Sequence, residues 1–190
     1  FRVGGSADYF VEVKTEKEAV AVIEVANEVH MPVTMLGGGS NVLISDRGIR
    51  GLVVRARHGK ISRPTVDVVR ASAGVTLNGL VRWMVRRGIS GIEAWAGTPG
   101  TVGGALRGNA GGRSGDIGPF VKSVTVLTAK GEQFTRSEDE LAFAYRFSSI
   151  NELAILEATF ELQPDDPDEI TRRMRKLWIM KKATQPLTFQ

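Results

Sequence analysis

Glycine placement constrains this chain more than any other feature of its sequence. Of its 190 residues 22 are Gly, against a usual level of about 7%. They concentrate around residues 37 to 39 and between 97 and 118 and do not spread as low-complexity sequence. Glycine reaches positive φ and admits another backbone or a ligand where a Cβ would block it, so each cluster needs a local cause. The segment Leu36-Gly37-Gly38-Gly39-Ser40-Asn41-Val42 lies between short apolar stretches. Consecutive glycines can point successive N–H groups at one place, and Ser40 and Asn41 add side-chain donors, a nest suited to a phosphate or pyrophosphate. A tight structural turn accounts for it equally well. It is not a Walker loop, because no Lys-Ser/Thr follows. Nor is it a dinucleotide fingerprint, because Val42 stands where a third glycine is required and no long helix opens after it.

The second cluster runs Ala96-Gly97-Thr98-Pro99-Gly100-Thr101-Val102-Gly103-Gly104-Ala105 and continues to Gly108-Asn109-Ala110-Gly111-Gly112. Glycine at every third or fourth position, with a proline stiffening the turn, fits a backbone pressed against a flat ligand. A mobile surface loop is the alternative, against which stands the regular interleaving of Thr, Val, Ala and Asn.

Composition narrows the classes. With 42% apolar and 24% charged residues the chain can bury an ordinary core, which excludes disorder and collagen. The absence of cysteine excludes disulfides, a thiolate nucleophile, Cys-ligated zinc and iron–sulfur clusters and permits a reducing compartment. No apolar run approaches the roughly 18 to 20 residues of a membrane span, and residues 1 to 15 lack a signal-peptide layout. The chain opens at Phe1 without Met and stops at Gln190, so it is expected to be a piece of something longer.

Thr15 with Glu18 forms a capping-box pair, and Ala19, Val22, Ile23 and Ala26 recur at helical spacing until Pro32, predicting a helix over 16–29. Tyr9–Val13, Val33–Leu36, Val42–Ile44 and Leu52–Arg55 predict strands around it, a small unit of about 1–57. After the polar stretch Arg57–Pro64, Val66–Ala71 predicts a strand. Thr76 then opens a helix with Leu77, Leu80, Val81 and Met84 on one face, ended by Gly88. Val121–Leu127 and Glu132–Thr135 flank Ala129-Lys130-Gly131 as a hairpin, Ser137 with Glu140 caps a short helix, and Ala154–Leu162 is a strand. Finally Asp166 caps a helix, Pro167 takes its first position, Glu169 completes the box, and Ile170, Met174, Leu177 and Trp178 form the buried face. No internal repeat is visible.

Tyr145-Arg146 follows the short capped helix. A guanidinium is a planar bidentate donor suited to carboxylate or phosphate, although a surface ion pair is the plainer reading of the dipeptide. His30 and His58 have no partner at metal-ligand spacing. Arg172, Arg173, Arg175, Lys176, Lys181 and Lys182 of the last helix read as a solvated face favoured by the helix dipole, not as a nucleic-acid surface.

Taken together, the segments Phe1-Arg2-Val3-Gly4-Gly5-Ser6-Ala7-Asp8-Tyr9, Leu36 to Asp46 and Gly48-Ile49-Arg50-Gly51 closely resemble the opening of the UDP-N-acetylenolpyruvoylglucosamine reductase family. Gly91-Ile92-Glu93, Gly97 to Ala105, Asn109-Ala110-Gly111, Phe143-Ala144-Tyr145-Arg146 and Lys182-Ala183-Thr184-Gln185-Pro186-Leu187 follow in that family's order. The resemblance implies an α+β chain with the two-lobed FAD-binding fold of the vanillyl-alcohol-oxidase/PCMH type. The lobes would be 1–57 and 58–165, with 166–190 a helix leading to a third domain. It implies non-covalent FAD, NADPH as reductant and a UDP-sugar substrate, UDP-N-acetylglucosamine enolpyruvate, in peptidoglycan precursor synthesis in the cytoplasm, without nucleic acid or membrane.

The residues it would assign to the cofactor are Gly37, Gly38, Gly39, Ser40 and Asn41 at the pyrophosphate, Thr98, Pro99, Gly100, Thr101, Gly103 and Gly104 along the flavin, and Asn109, Gly111 and Ile155. Arg146, with Tyr145, would hold the substrate carboxylate and is the expected catalytic residue; no metal is expected. Two departures stand out. Gly112-Arg113-Ser114 replaces the Ala-Tyr-Gly that many members carry after Asn-Ala-Gly. The family's proton-donating serine and late glutamate would fall beyond Leu187. A non-catalytic flavin-binding module, and another oxidoreductase of the same FAD fold, are the alternative functions.

Overall fold

A computed structural model of the chain describes residues 3–57, 59–112 and 115–184. Phe1, Arg2, His58, Arg113, Ser114 and residues 185–187, all named above, lie outside the described residues. The chain opens with β1 (Ala7–Val13), α1 (Glu16–Glu28), β2 (Val33–Leu36) and β3 (Ile49–Ala56). It continues through β4 (Ile61–Ser62), β5 (Val68–Ser72), α2 (Leu77–Val85), β6 (Ile89–Ser90) and the short α3 (Val102–Arg107). Then come β7 (Gly111–Gly112), β8 (Gly115–Asp116), β9 (Val121–Leu127), β10 (Gln133–Ser137), β11 (Phe143–Ala144) and β12 (Phe147–Ser148). The last elements are β13 (Ala154–Glu161), β14 (Gln163–Pro164) and α4 (Pro167–Thr184).

Capping signals place the helices. Thr15 Oγ1 accepts from the Glu18 N–H at 3.1 Å while Glu18 Oε2 accepts from the Lys14 N–H at 2.6 Å, and Ala19, Ile23 and Ala26 turn inward. Thr76 caps α2 through the Gly79 N–H at 3.1 Å, burying the expected Leu77, Leu80, Val81 and Met84. In the first sheet β3 lies between β1 and β2, all parallel, and α1 supplies the crossover that a parallel pair requires. The second sheet is antiparallel in the order β10-β9-β13-β5-β4.

Strand β13 is buried on both faces. Ile155, Ala158 and Phe160 join the larger core, with α2, α3 and β5. Ala154 and Leu156 join a second cluster with Val13, Ala19, Ile23 and Val54. A strand enclosed on both sides reads as an unbroken apolar run, which is how Ala154-Ile155-Leu156 stands in the sequence. The Asn27 side chain donates to the Ala129 carbonyl at 2.6 Å, tying α1 to the β9–β10 turn.

Four sequence expectations are corrected. Val42–Ile44 is not a strand: among the described residues no segment pairs with it, Val42 and Leu43 are 46% and 74% exposed, and the following Ser45 carbonyl instead accepts from Gly5 and Gly48 at 2.9 and 2.8 Å. The strand predicted from Val66 begins at Val68, since Val66 is 62% exposed. The Ser137–Glu140 box is present but closes only a three-residue 3-10 turn.

The fourth correction concerns α4. Asp166 caps it, accepting from the Asp168 N–H at 2.9 Å. Glu169 does not complete the box and instead pairs with Arg172 at 2.6 Å. Ile170 is fully buried, whereas Trp178 is 42% exposed. Nor are the basic residues uniformly solvated. Arg173 bonds Glu93 at 3.1 Å, the Ser90 hydroxyl at 3.1 Å and Asp165 at 2.5 Å. No helix among the described residues is long and apolar enough to cross a membrane.

Burial alone would raise the pKa of Glu93, but bonds from the Gly91 N–H, its own N–H, the Ser90 hydroxyl and Arg173 outweigh it, and the carboxyl lies below its ordinary value of 4.5. The Arg173 guanidinium likewise lowers Asp165. A carboxyl whose pKa is lowered by folding contributes stability that is in full above its unfolded value and lost as pH falls through the folded one. Arg173→Met should therefore lower the melting temperature at neutral pH. The gap from wild type should narrow as pH drops from about 5 toward 3, measured by thermal melts of both proteins across that range.

Candidate functional site

The two glycine clusters, separate in sequence, meet in space. A Cβ on Gly37 would lie 2.6 Å from Thr101 Oγ1, one on Gly38 would lie 3.1 Å from Gly100 Cα, and one on Gly100 would lie 2.9 Å from Ser40 Oγ. Gly38 and Gly100 meet backbone against backbone, while the Thr101 and Ser40 hydroxyls occupy the space beside Gly37 and Gly100, which explains glycine on both sides of the contact. Gly39, at φ +71°, has open space where a Cβ would point. Among the described residues no group accepts from the backbone N–H of Gly38, Gly39, Ser40 or Asn41. These donors lie exposed beside the glycine contact, a cradle that a Cβ would fill and an anion such as a pyrophosphate can enter.

Thr101 organises the other side. Its hydroxyl caps α3, accepting from the Gly104 N–H at 3.4 Å, and the residue is only 7% exposed. It stands opposite Thr76, the cap of α2. The Leu77 N–H donates to the Gly100 carbonyl at 3.0 Å and the Val102 N–H to the Val75 carbonyl at 2.9 Å, so both helices start at this joint. Gly103 packs on Ala73, to whose carbonyl its N–H donates at 2.9 Å. Thr98 donates its N–H to the Trp95 carbonyl at 2.9 Å, leaving Pro99 exposed at the crest of the turn.

Tyr145 and Arg146 form the tip of the β11–β12 hairpin, both exposed, with Arg146 at φ +56° and its guanidinium 5.7 Å from the centre of the Tyr145 ring. Arg146 has no carboxylate partner among the described residues, so the surface ion pair offered as its plainer reading is not formed. Neither side chain bonds to either glycine segment. The hairpin is instead joined to the second cluster by Asn109, 2% exposed and at φ +41°. Its amide donates to the Ala144 carbonyl at 2.8 Å and accepts from the Gly118 N–H at 3.0 Å. Asn109 is thus a tie inside the protein, and Gly111 beside it makes room for the Asp116 carboxylate. Ile155 lies in the larger core, 7% exposed.

Several residues at this site carried no sequence signal. Asn78 accepts from the Gly97 N–H at 2.6 Å. Arg107 donates to the carbonyls of Ile150, Glu152 and Leu153, and Ser148 donates to the Arg107 carbonyl at 2.9 Å. Lys181 donates to the carbonyls of Ala94 and Ala96 at 2.8 and 2.7 Å, and partial burial holds its pKa below the usual lysine value. All four sit at positions that helix periodicity or turn composition fills with any polar residue; only their distant partners distinguish them. Among the described residues no group of three or more His, Cys, Asp and Glu could hold a metal ion.

Comparison with known proteins bears on what the cradle holds. The model of the FAD binding domain family matches residues 7–153. A UDP-N-acetylenolpyruvoylglucosamine reductase of Lachnoclostridium phytofermentans is 36% identical over all of this chain and 63% of its own length. The reductase of the same name from Listeria innocua is 37% identical over 99% of the chain and 64% of its own length. The crystal structure of the Thermus caldophilus reductase superposes with a TM-score of 0.80 at 29% identity, covering 93% of this chain and 63% of that one. The chain therefore spans just under two thirds of the length of the relatives it matches, and its fold is the two-lobed FAD-binding α+β fold expected from the sequence.

The joint itself can be tested without a ligand. Gly37→Val places branched carbon against Thr101 and should destabilise the protein by about 1–3 kcal/mol in urea unfolding. Gly112→Val, where a Cβ would meet nothing within 4 Å, should cost distinctly less.

Proposed function

The chain belongs to the FAD binding domain family, and from that premise we propose that it is the flavin-holding part of an NADPH-dependent reductase of UDP-N-acetylglucosamine enolpyruvate, yielding UDP-N-acetylmuramate in the cytoplasm. The observation that carries the reading is the cradle of free N–H groups at Gly38 to Asn41, closed from the other side by Gly100 and Thr101, in a chain whose relatives bear the name of that reductase. In this reading residues 1–57 and 58–165 are the two lobes, and 166–190 leads toward the part that the relatives possess in addition.

Bound FAD would supply hydride chemistry, accepting hydride from NADPH and delivering it to the enolpyruvyl double bond. The residues of this chain do the rest. Gly37, Gly38 and Gly39 let the backbone approach the pyrophosphate, and Ser40 and Asn41 add hydroxyl and amide donors. Thr98, Pro99, Gly100 and Thr101, with Gly103 and Gly104 at the start of α3, offer a surface without large side chains to the rest of the cofactor. Asn109 and Gly111 hold the hairpin in register with that surface, and Ile155 lies in the core beneath it. With no cysteine in the chain, no thioether tether to the flavin forms, and in this reading the cofactor is held non-covalently.

Arg146 is the expected catalytic residue. Its guanidinium is permanently charged, unpaired within the described residues, and carried on a backbone turn that directs it to solvent. It would hold the enolpyruvyl carboxylate and steady the negative charge that spreads onto it as hydride arrives, with Tyr145 beside it. The acid that protonates the adjacent carbon would come from the part of the protein beyond this chain.

Titration of the purified protein with FAD should quench flavin fluorescence with saturation near one FAD per chain, and Gly38→Val should abolish uptake; absence of uptake by wild type refutes the reading. In the complete protein, Arg146→Lys should retain FAD while turnover falls on the order of 100-fold, the scale of one preorganised electrostatic contact. Near-normal turnover would leave Arg146 without a catalytic role.

A further inference from the structure

The turn that closes the cradle is held largely from outside. Residues 94–98 contribute one bond of their own across the turn, from the Thr98 N–H to the Trp95 carbonyl. Trp95 is held from the core side, its indole N–H donating to the Ala110 carbonyl at 2.9 Å, the Ala96 N–H donates to the Glu93 carbonyl at 3.0 Å, and the remaining anchors come from two helices. Asn78 of α2 takes the Gly97 N–H, and α4 grips the segment at both ends. Its Arg173 binds Glu93, and its Lys181 binds the carbonyls of Ala94 and Ala96 together. Trp178, three residues from Lys181 and so on the same helical face, lies over Gly97 so closely that a Cβ there would come within 2.6 Å of the indole.

An ammonium brought partly out of water has to recover its hydration from protein acceptors. Two backbone carbonyls, one residue apart, provide that for Lys181. The same pair of bonds fixes the 94–95 and 96–97 peptide planes on either side of the one between Trp95 and Ala96, the second of them leading into Gly97. Those planes set the direction in which the chain enters Gly97-Thr98-Pro99-Gly100, and hence where Gly100 and Thr101 stand against Gly37, Gly38 and Ser40.

We propose that Lys181 is a positioning residue for the cofactor turn: bonded to Ala94 and Ala96 and seated beside Trp178 on Gly97, it sets the path of residues 97–101 and thereby the geometry in which the flavin is held. This rests on the flavin reading above. It makes α4 more than a connector. The helix that leads out of the FAD-binding lobes also orients one wall of the cofactor site, so a displacement of α4 is felt at the flavin through the turn.

The experiment uses the whole 190-residue chain with FAD as the probe, comparing wild type, Lys181→Met and Lys181→Arg. Lys181→Met should raise the Kd for FAD about tenfold, the scale of losing one hydrogen bond to a charged group. At saturating FAD it should also alter the visible circular dichroism of the bound flavin, and Lys181→Arg, which keeps two donors, should restore both. A merely structural lysine would leave the saturated spectrum at its wild-type shape. Wild-type spectrum and Kd in Lys181→Met therefore overturn the proposal while leaving the flavin reading intact. Failure of wild type itself to take up FAD overturns both. Should Lys181→Met not fold, as judged by far-ultraviolet circular dichroism, Lys181→Gln is read by the same two measurements.

Discussion

The contact between Gly37–Gly38 and Gly100–Thr101 is the constraint on which the arrangement turns. It leaves no room for a Cβ at Gly37 beside the Thr101 hydroxyl and little at Gly38 against the Gly100 backbone, and it does so where α2 and α3 both begin. Thr76 and Thr101, each capping its own helix, face one another across the joint. Moving the first glycine loop therefore bears on the capping hydroxyl of α3, and through the Leu77–Gly100 bond on the first turn of α2. Helix starts are stabilised by local caps, but here the caps are also the wall against which a distant loop is seated.

What could be read from the residues alone follows the range of the interaction concerned. The starts of α1 and α2 were legible because Thr15 and Glu18, or Thr76 and Gly79, are three residues apart and a cap needs nothing else. The doubly buried β13 was legible as an apolar run. Val42–Ile44 carried the same apolar signal without a partner to pair with, and composition cannot supply a partner. The basic residues of α4 failed differently. Arg173 and Lys181 resemble any exposed helix cations until Glu93 and the Ala94 and Ala96 carbonyls, 80 or more residues earlier, come alongside.

The candidate site divides along the same line. Glycine spacing revealed the cradle, because close backbone approach leaves a compositional trace. The side chains that hold the cradle in shape leave none. Asn109, expected at the cofactor, bonds through its amide to Ala144 and Gly118, which makes it the link between the glycine turn and the hairpin that carries Arg146. Arg107, donating to the carbonyls of Ile150, Glu152 and Leu153, ties the end of α3 to the segment before β13. Positive φ at Arg146 and Asn109 belongs to this framework: each is a residue whose backbone accepts strain so that a neighbouring group can be aimed.

Strand β13 has one more implication. Over Ala154-Ile155-Leu156 its successive residues look alternately into the two apolar clusters, so there the wall of one core is the reverse side of the wall of the other. The three-stranded sheet and α1 possess no complete interior of their own; Leu127, Ala154 and Leu156 finish it. Denaturation of either half strips a face from the strand that the other half needs, and the two halves are thereby coupled into a single cooperative transition. The partition into lobes is geometric, whereas the unit that folds is the pair.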